Sequence, residues 1–269
     1  MKFSLLSFNT QGTPFFSPDL TLRYKKFCEL INKDGPDIIC FEEITNYYNL
    51  FLLKKYLKNY PHFIYKPFFH APKGGLVIVS KIPLTDVQFV SFVRNESFRD
   101  MSFMAHVIKN GMLMARIKDT DLTIINAHTF TDFEFDWSPE NQLYRFVKVQ
   151  IEQVAAEVNR LVDKGQSVIL TGDLNSKKNS RLYKYVLSET KMTDVFAKES
   201  ISTYFIDRLD YKFKGKISAR IDIVFLKDLT KKINVLSYAH LFNEKYKLAN
   251  KKQSYLSDHI GLKVNFDIV

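Results

Sequence analysis

Apolar runs of four to eight residues recur along the chain and divide it into predicted β-strands. A strand buried on both faces reads as a continuous apolar run, whereas a half-buried strand alternates apolar and polar positions. Several runs carry β-branched residues and are separated by turn-forming residues, as is typical of strands. The predicted strands cover residues 3–8, 38–41, 63–66, 75–80, 87–90, 101–107, 112–117, 122–127, 167–171, 221–226, 233–239 and 261–267. Asn110 and Gly111, between two of these runs, predict a hairpin turn.

Apolar positions spaced three and four residues apart predict four helices among these strands. Their expected bounds are about 19–33, 46–57, 138–165 and 180–187. Asp19, Asn46 and Ser138 are expected to cap the first three helices, and Pro139 takes the first helical position of the third. In the second helix, the positions expected to face the core are Tyr47, Leu50, Leu53 and Leu57.

The order of these elements predicts a strand-rich α/β protein with two sheets packed face to face and helices outside. No linker, internal repeat or low-complexity tract interrupts the 269 residues. A chain of 31.5 kDa is long enough to bury a large core. We therefore expect a single domain that covers residues 1–269.

Composition excludes several classes of protein. Hydrophobic residues make up 46% of the chain and charged residues 25%, close to the average for globular proteins, so a disordered or collagen-like chain is excluded. Two cysteines, Cys28 and Cys40, cannot form a disulfide framework and are expected to be reduced core thiols. The apolar stretch 3–8 is too short for a signal peptide or a membrane span, so a cytoplasmic location is expected.

Positive charge is concentrated near the carboxyl end of the chain. The formal net charge is +10, from 39 basic and 29 acidic residues. The segment 207–252 holds twelve basic and five acidic residues and so contributes +7. Such a segment favours nucleic acid or an anionic lipid surface as a partner, although a well-solvated surface explains it equally well.

Polar residues suited to metal or proton chemistry follow several predicted strands. A lone Asn, Glu or His at a strand end is more often a turn former, a solvated group or a structural hydrogen-bonding group. Strand ends, however, converge at one edge of a sheet, where residues distant in the chain meet. The residues in question are Asn9, Glu42, Glu43, His128, Asp173, Asn175, Asp222, Asp258 and His259.

Seven motifs carry these residues in a fixed order: Asn9, PDIICFEEI at 36–44, GLVIVS at 75–80, NAH at 126–128, GDLN at 172–175, RID at 220–222 and SDH at 257–259. The ordered set resembles the endonuclease/exonuclease/phosphatase superfamily, which has the deoxyribonuclease I-like fold, over essentially the whole chain. This resemblance implies a four-layer α/β sandwich of two mixed sheets flanked by helices. It also implies hydrolysis of phosphoester bonds, usually with Mg²⁺ or Mn²⁺.

The resemblance also implies a role for each site residue. Glu43, Asn9 and Asp258 are the expected metal ligands; Glu43 is preferred to Glu42 because Glu42 occupies the position where the family usually has Gln. Phosphodiester hydrolysis develops negative charge on phosphate oxygens, and a hard cation held by oxygen ligands neutralises that charge. The implied catalytic residues are Asp173 for the attacking water, Asn175 for a phosphate oxygen, His259 paired with Asp222 as general base or phosphate stabiliser, and His128 for the phosphate and the leaving group.

Nucleic acid is the expected substrate class, and a phospholipid is the alternative. For nucleic acid, the sequence offers a lysine-rich stretch: Lys212, Lys214, Lys216, Lys251 and Lys252. For a lipid, residues 109–116 loosely resemble a KGxLxAR-type stretch of neutral sphingomyelinases, with an inserted Asn110. Aromatic residues after His128 suit either base stacking, a bilayer or plain packing: Phe130, Phe133, Phe135 and Trp137. A phosphatase acting on a soluble phosphate is third, and a non-catalytic module is disfavoured because no expected site residue is missing.

Overall fold

The computed structural model describes residues 1–13, 17–92, 110–131, 138–209 and 217–269. Two mixed six-stranded sheets form its centre. The first sheet consists of β1 (Lys2–Asn9), β2 (Ile38–Glu42), β3 (His62–Ile64), β4 (Val77–Ser80), β13 (Ile233–Leu241) and β16 (Gly261–Ile268). Its strand order is β13-β16-β1-β2-β4-β3, and β1 and β2 run parallel.

The second sheet has the same size and the same mixed character. Its strands are β5 (Leu84–Ser91), β6 (Gly111–Ile117), β7 (Leu122–His128), β8 (Ser167–Asp173), β9 (Thr193–Asp194) and β12 (Asp222–Lys227), in the order β5-β6-β7-β8-β12-β9. Strands β7 and β8 run parallel, and the others pair antiparallel. Two short ribbons complete the strands: β10 (Tyr204–Phe205) with β11 (Ser218–Ala219), and β14 (Tyr246–Lys247) with β15 (Gln253–Ser254).

Helices cover the outer face of each sheet. Those in the described ranges are α1 (Leu20–Asp34), α2 (Tyr47–Tyr56), α3 (Gln142–Asp163) and α4 (Arg181–Thr190), with a 3₁₀ turn at Lys73–Gly75. One apolar cluster joins α1 and α2 to the first sheet, and another joins α3 and α4 to the second. A third cluster fills the space between the sheets, with Leu5 and Val264 from one and Ile124 and Val224 from the other. The expected four-layer α/β sandwich of two packed mixed sheets is therefore confirmed.

The expected strands are present with shifted ends, except for the run 101–107, which lies outside the described residues. Continuous burial along β2, β7 and β8 explains why their sequences are apolar throughout rather than alternating. Cys28 and Cys40 are buried and unpaired in disulfides, as expected. Among the described residues, no helix combines the length and apolar content needed to cross a bilayer.

The hairpin expected at Asn110 and Gly111 is wrong. Gly111 is the first residue of β6 and pairs with Ser91 on one side and His128 on the other. Neither Asn110 nor Gly111 has the positive φ that a two-residue hairpin turn of type I′ requires. A Cβ at Gly111 would lie 2.3 Å from the carbonyl oxygen of Val90, so this glycine permits close strand approach instead.

Two expected helix caps are also wrong. Asp19 has a left-handed backbone, with φ of 50°, and its side chain makes no cap to α1. The third helix begins later than expected, because Asn141 rather than Ser138 accepts hydrogen bonds from the backbone N–H groups of Leu143 and Tyr144. The expected cap at Asn46 is confirmed, since its side chain accepts from Asn49 N at 2.8 Å.

One expected core position of α2 faces outward. Tyr47 is 40% exposed, while Leu50, Leu53 and Leu57 are buried as expected. Leu52 is the additional buried leucine. Because Tyr47 faces outward, its hydroxyl donates to the carbonyl oxygen of Phe68 at 2.7 Å instead of packing in the core.

Candidate active site

Sheet register brings the candidate residues to one edge of the sandwich. In the parallel pair β1–β2, Asn9 lies beside Glu42, and in the parallel pair β7–β8, His128 lies beside Asp173. Strand β12 runs antiparallel to β8 and starts at the same edge, so that Asp222 pairs with Asp173. Asp258 and His259 reach this edge because they directly precede β16, which is antiparallel to β1.

Asn9 joins the acidic groups of the two sheets. Its Nδ2 donates to Glu43 Oε1 at 3.2 Å and to Asp173 Oδ2 at 3.1 Å, and the side chain is fully buried. Thr13 Oγ1 donates to the other oxygen of Glu43 at 3.1 Å. An amide nitrogen held between two carboxylates marks a position where the surroundings favour positive charge.

Glu42 and Glu43 occupy different environments although they are adjacent. Glu42 ends β2 and is fully buried, whereas Glu43 is half-buried and has a left-handed φ of 59°. This turn directs the Glu43 carboxylate toward Asn9 and Thr13. Burial, followed by the nearby carboxylates of Asp222 and Asp173, raises the pKa of Glu42 well above its usual range.

His259 and Asp222 form a buried hydrogen-bonded pair. His259 Nδ1 lies 2.9 Å from Asp222 Oδ2 and 3.1 Å from Oδ1. A carboxylate at Nδ1 favours the tautomer that carries its proton on that nitrogen. Burial by itself lowers the pKa of His259, but the carboxylates of Asp222, Asp173 and Asp258 outweigh burial and raise it well above its usual value.

Asp173 is the central group of the site. Its Oδ2 lies 3.7 Å from His259 Nε2 and 3.9 Å from His128 Nε2, in addition to its contact with Asn9. These separations are too long for direct hydrogen bonds, so the carboxylate and the two imidazoles face one another without bonding directly. Burial, then the Asp222 carboxylate, raises the pKa of Asp173.

His128 and Asn175 flank Asp173 on the second sheet. His128 is 6% exposed, and within the described ranges neither of its ring nitrogens has a hydrogen-bond partner. Asn175 donates its backbone N–H to Asp173 Oδ1 at 2.8 Å and its Nδ2 to the carbonyl oxygen of Thr129 at 3.0 Å. A buried imidazole without a partner is costly in a folded protein and points to a ligand at this position.

Asp258 completes the group next to Glu43 and His259. Its Oδ1 lies 3.9 Å from His259 Nε2, and Ser257 Oγ donates to the same oxygen at 3.2 Å. Burial raises the pKa of Asp258 to about 6, and the nearby Glu43 carboxylate adds to this rise. All eight expected site residues thus lie in one connected cluster: Asn9, Glu43, His128, Asp173, Asn175, Asp222, Asp258 and His259.

The donor set of this cluster fits a hard divalent cation. Carboxylate and amide oxygens are the ligands that such cations prefer. The half-buried carboxylate of Glu43 repels the buried carboxylate of Asp258, and a cation bound by both would offset that repulsion. A second group of candidate ligands, Asp173, Asp222 and His259, has ligand atoms within 4.8 Å of one another, but Asp222 and His259 already bond to each other.

Two buried residues that the sequence motifs did not indicate hold backbone segments of the site in place. Arg23 of α1 is fully buried, and its guanidinium donates to the carbonyl oxygens of Thr10, Gln11 and Leu256. Thr203 Oγ1 accepts from the backbone N–H of Asp222 at 3.0 Å. Neither residue stands in a recognisable motif, so only an unusual Arg inside an apolar helix face could have drawn attention to Arg23.

Several expected substrate-binding residues lie outside the described residues. They are Phe133, Phe135, Trp137, Lys109, Lys212, Lys214 and Lys216. Lys251 and Lys252 are described and exposed. Phe130 is buried and packs edge-on against Phe146 at a ring-centroid distance of 5.3 Å, so it belongs to the core.

Sequence comparison finds a relative that is similar to most of this chain. A Drosophila melanogaster protein provisionally named a neutral sphingomyelinase is 25% identical over 239 residues, which cover 84% of this chain. The chain spans 52% of the length of that relative.

Two solved structures share the fold. D. rerio TDP2, complexed with a single-strand DNA product, matches with a TM-score of 0.73 at 17% identity, over 99% of each chain. Sphingomyelinase C from Streptomyces griseocarneus matches with a TM-score of 0.72 at 15% identity, over 98% of this chain and 99% of that one. The model of the endonuclease/exonuclease/phosphatase family matches residues 6–259, and the chain belongs to this family of hydrolases.

Proposed function

We propose that residues 1–269 form one catalytic domain that hydrolyses phosphodiester bonds with the help of a divalent cation. The observation that carries this proposal is the buried group of Asp222, His259 and Asp173, which faces His128, an imidazole with no hydrogen-bond partner among the described residues. Imidazoles and a carboxylate around one open position suit a tetrahedral phosphate and an attacking water.

Glu43, Asn9 and Asp258 are the proposed metal ligands. Mg²⁺ is the proposed ion, and Mn²⁺ is the alternative, because both accept oxygen ligands and keep bound waters. When bound, the cation supplies positive charge that stabilises the phosphate oxygens. Thr13 holds one oxygen of Glu43 and leaves the carboxylate oriented toward Asn9.

Asp173 is the proposed acceptor of the proton from the attacking water. Its raised pKa makes it a stronger base than an exposed carboxylate, and Asn9 and Asn175 fix its orientation. The raised pKa of His259 favours an imidazolium, so we assign His259 to stabilising a phosphate oxygen through Nε2, with Asp222 holding Nδ1.

His128 and Asn175 are the proposed contacts on the other side of the phosphate. His128 has two ring nitrogens free of partners within the described residues, so it suits both the phosphate and the leaving oxygen. Asn175 has one of its side-chain donors committed to Thr129, and its proposed role is to contact a phosphate oxygen.

Nucleic acid is the first proposed substrate class. The net charge of +10 favours a polyanion, and the similar fold of D. rerio TDP2 was solved with a single-strand DNA product. A phospholipid is the second candidate because a relative matched over 84% of this chain bears the name of a neutral sphingomyelinase.

The test is hydrolysis of three substrates in Mg²⁺: bis(p-nitrophenyl) phosphate, supercoiled plasmid and sphingomyelin vesicles. We expect the first to be hydrolysed whichever natural substrate is correct, and His259→Gln to lower its kcat by roughly 10²–10⁴-fold. His240→Gln is the matched control, since His240 lies on β13 against the Phe196 ring and outside the site. Plasmid nicking favours nucleic acid, release of phosphocholine favours the lipid, and an unchanged rate in His259→Gln contradicts the proposal.

A further inference from the structure

A long stretch beside the candidate site contains no acidic residue. Between Glu43 and Asp86 the chain has six lysines, no arginine, and neither Asp nor Glu. The same stretch exposes large aromatic side chains: Tyr48 is 52% exposed, Phe51 54% and Phe69 94%. We call these three side chains, together with the exposed Lys54, Lys55 and Lys58, the basic aromatic surface.

Helix α2 and the loop after β3 lie side by side in this surface. The hydroxyl of Tyr47 donates to the carbonyl oxygen of Phe68 at 2.7 Å, which ties the start of α2 to the residue before Phe69. About two turns further along the helix, the ammonium of Lys54 lies 5.2 Å from the ring centroid of Tyr65. The exposed aromatic rings therefore belong to one face rather than to separate sites.

The basic aromatic surface borders the candidate active site. Helix α2 is capped by Asn46, three residues after Glu43. The backbone N–H of Ile44 donates to the carbonyl oxygen of Gly75 at 2.9 Å, so the end of the Phe69 loop also reaches Glu43. A partner bound to this face would therefore lie close to Glu43.

We propose that the basic aromatic surface docks the protein onto bilayers that contain anionic phospholipid. Lysines attract the negative headgroups, and aromatic rings enter the boundary between headgroups and acyl chains. Phe69 stands at the tip of its loop with nearly its whole ring in solvent, which suits insertion into a bilayer. This inference goes beyond the proposed hydrolysis, because docking does not depend on which phosphodiester is cleaved.

The ring contacts of Phe51 favour a bilayer over single-stranded nucleic acid at this side chain. Stacking of bases needs open ring faces. The ring of Phe51 already lies 6.3 Å from that of Tyr48 at an interplanar angle of 25°, and the Lys55 ammonium lies 5.8 Å from its centroid. The exposed part of Phe51 is hydrocarbon next to the positive charge of Lys55, a combination that is found at membrane interfaces.

The test is co-sedimentation with phosphatidylcholine vesicles, with and without phosphatidylserine. We expect the wild-type protein to bind the phosphatidylserine vesicles, and Phe51→Ser with Phe69→Ser to weaken this binding by roughly tenfold or more. Lys55→Gln with Lys58→Gln should weaken it too and reduce its dependence on salt. Hydrolysis of bis(p-nitrophenyl) phosphate should stay unchanged in both double variants, which separates failure of docking from failure of catalysis.

Matched controls use exposed residues on other parts of the molecule. Leu236→Ser removes an apolar side chain on β13 that is 53% exposed, close to the exposure of Phe51. Lys118→Gln with Lys232→Gln removes two exposed lysines elsewhere. The proposal is overturned if wild-type protein does not distinguish the two vesicles, or if controls lose binding as the test variants do. It is also overturned if the aromatic substitutions weaken binding to a labelled single-stranded oligonucleotide and leave vesicle binding intact.

Discussion

At the scale of single residues, several buried carboxyl groups lie close together in the candidate site. Asp173, Asp258 and Glu42 all have raised pKa values, first because of burial and then because of neighbouring carboxylates. Without a cation, such groups hold protons in the folded state that they release in the unfolded state. Ionising these carboxyl groups therefore lowers the free energy of unfolding. The proposed chemistry nevertheless requires ionised carboxylates.

This cost predicts that the metal-free protein loses stability as the pH rises. The pKa of Asp258 is about 6 in the folded state, against a usual 3.8. Its contribution to the free energy of unfolding therefore declines between about pH 4 and pH 7. Asp258 alone should account for a loss on the order of 2–3 kcal/mol. The measurement is urea unfolding in EDTA across this range.

Asp258→Asn provides the control for the pH experiment. This variant keeps the size of the side chain and removes the titrating group, so the pH dependence of its stability should be flatter than that of the wild type. An identical slope in the two proteins would contradict the raised pKa of Asp258.

At the scale of elements, helix α1 connects both ends of the site. Arg23 donates to carbonyl oxygens of the segment after β1, at Thr10 and Gln11, and to Leu256 just before Ser257. Ser257 in turn donates to the carbonyl oxygen of Asn9 at 2.7 Å. The segment that follows Asn9 and the loop that carries Asp258 and His259 are thus held by the same buried guanidinium.

Arg23→Met is expected to lower the free energy of unfolding by roughly 3 kcal/mol, because it leaves several buried carbonyl oxygens without donors. The measurement is urea unfolding monitored by circular dichroism. Arg145→Met, on the exposed side of α3, is the matched control and should change stability by less than about 0.5 kcal/mol. Equal effects of the two substitutions would show that the contacts of Arg23 do not support the fold.

At the scale of the whole molecule, the candidate site draws on both sheets. Asn9, Asp258 and His259 come from strand ends of the first sheet, and His128, Asp173 and Asp222 come from the second. The apolar cluster between the sheets sets the distance between these two groups. The proposed cation ligands Asn9, Glu43 and Asp258 all lie at strand ends of the first sheet, so a bound cation would stabilise the fold on that side of the site.

Mg²⁺ is accordingly expected to raise the Tm of the protein, and more so at pH 7.5 than at pH 5.5, because the carboxylates must be ionised to bind it. EDTA should abolish hydrolysis, and added Mg²⁺ should restore it. The measurements are thermal unfolding and hydrolysis of bis(p-nitrophenyl) phosphate over a titration of Mg²⁺.

Glu43→Gln should remove most of the Mg²⁺-dependent rise in Tm, whereas Glu140→Gln, an exposed residue before α3, should leave it unchanged. Hydrolysis that persists in EDTA would contradict the proposed metal dependence. A rise in Tm that is equal in wild type and Glu43→Gln would contradict Glu43 as a ligand.

The sequence by itself determined the fold class and the membership of the candidate site. Continuous apolar runs marked the strands because those strands are buried on both faces, and polar residues at their ends marked one edge of the sandwich. The ordered motifs identified the site residues that the structure brings together, from Asn9 to His259.

Tertiary structure decided what local patterns could not. The pairing of Gly111 with strands on both sides, the outward turn of Tyr47 and the contacts of Arg23 depend on residues far away in the chain. Local propensity places Asp19 at a helix cap, but its left-handed backbone turns the side chain toward Asn250. The basic aromatic surface likewise depends on the fold, because α2 buries its leucines in the outer cluster of the first sheet and leaves Phe51 exposed. The sequence records which residues are apolar but not which of them the fold has room to bury.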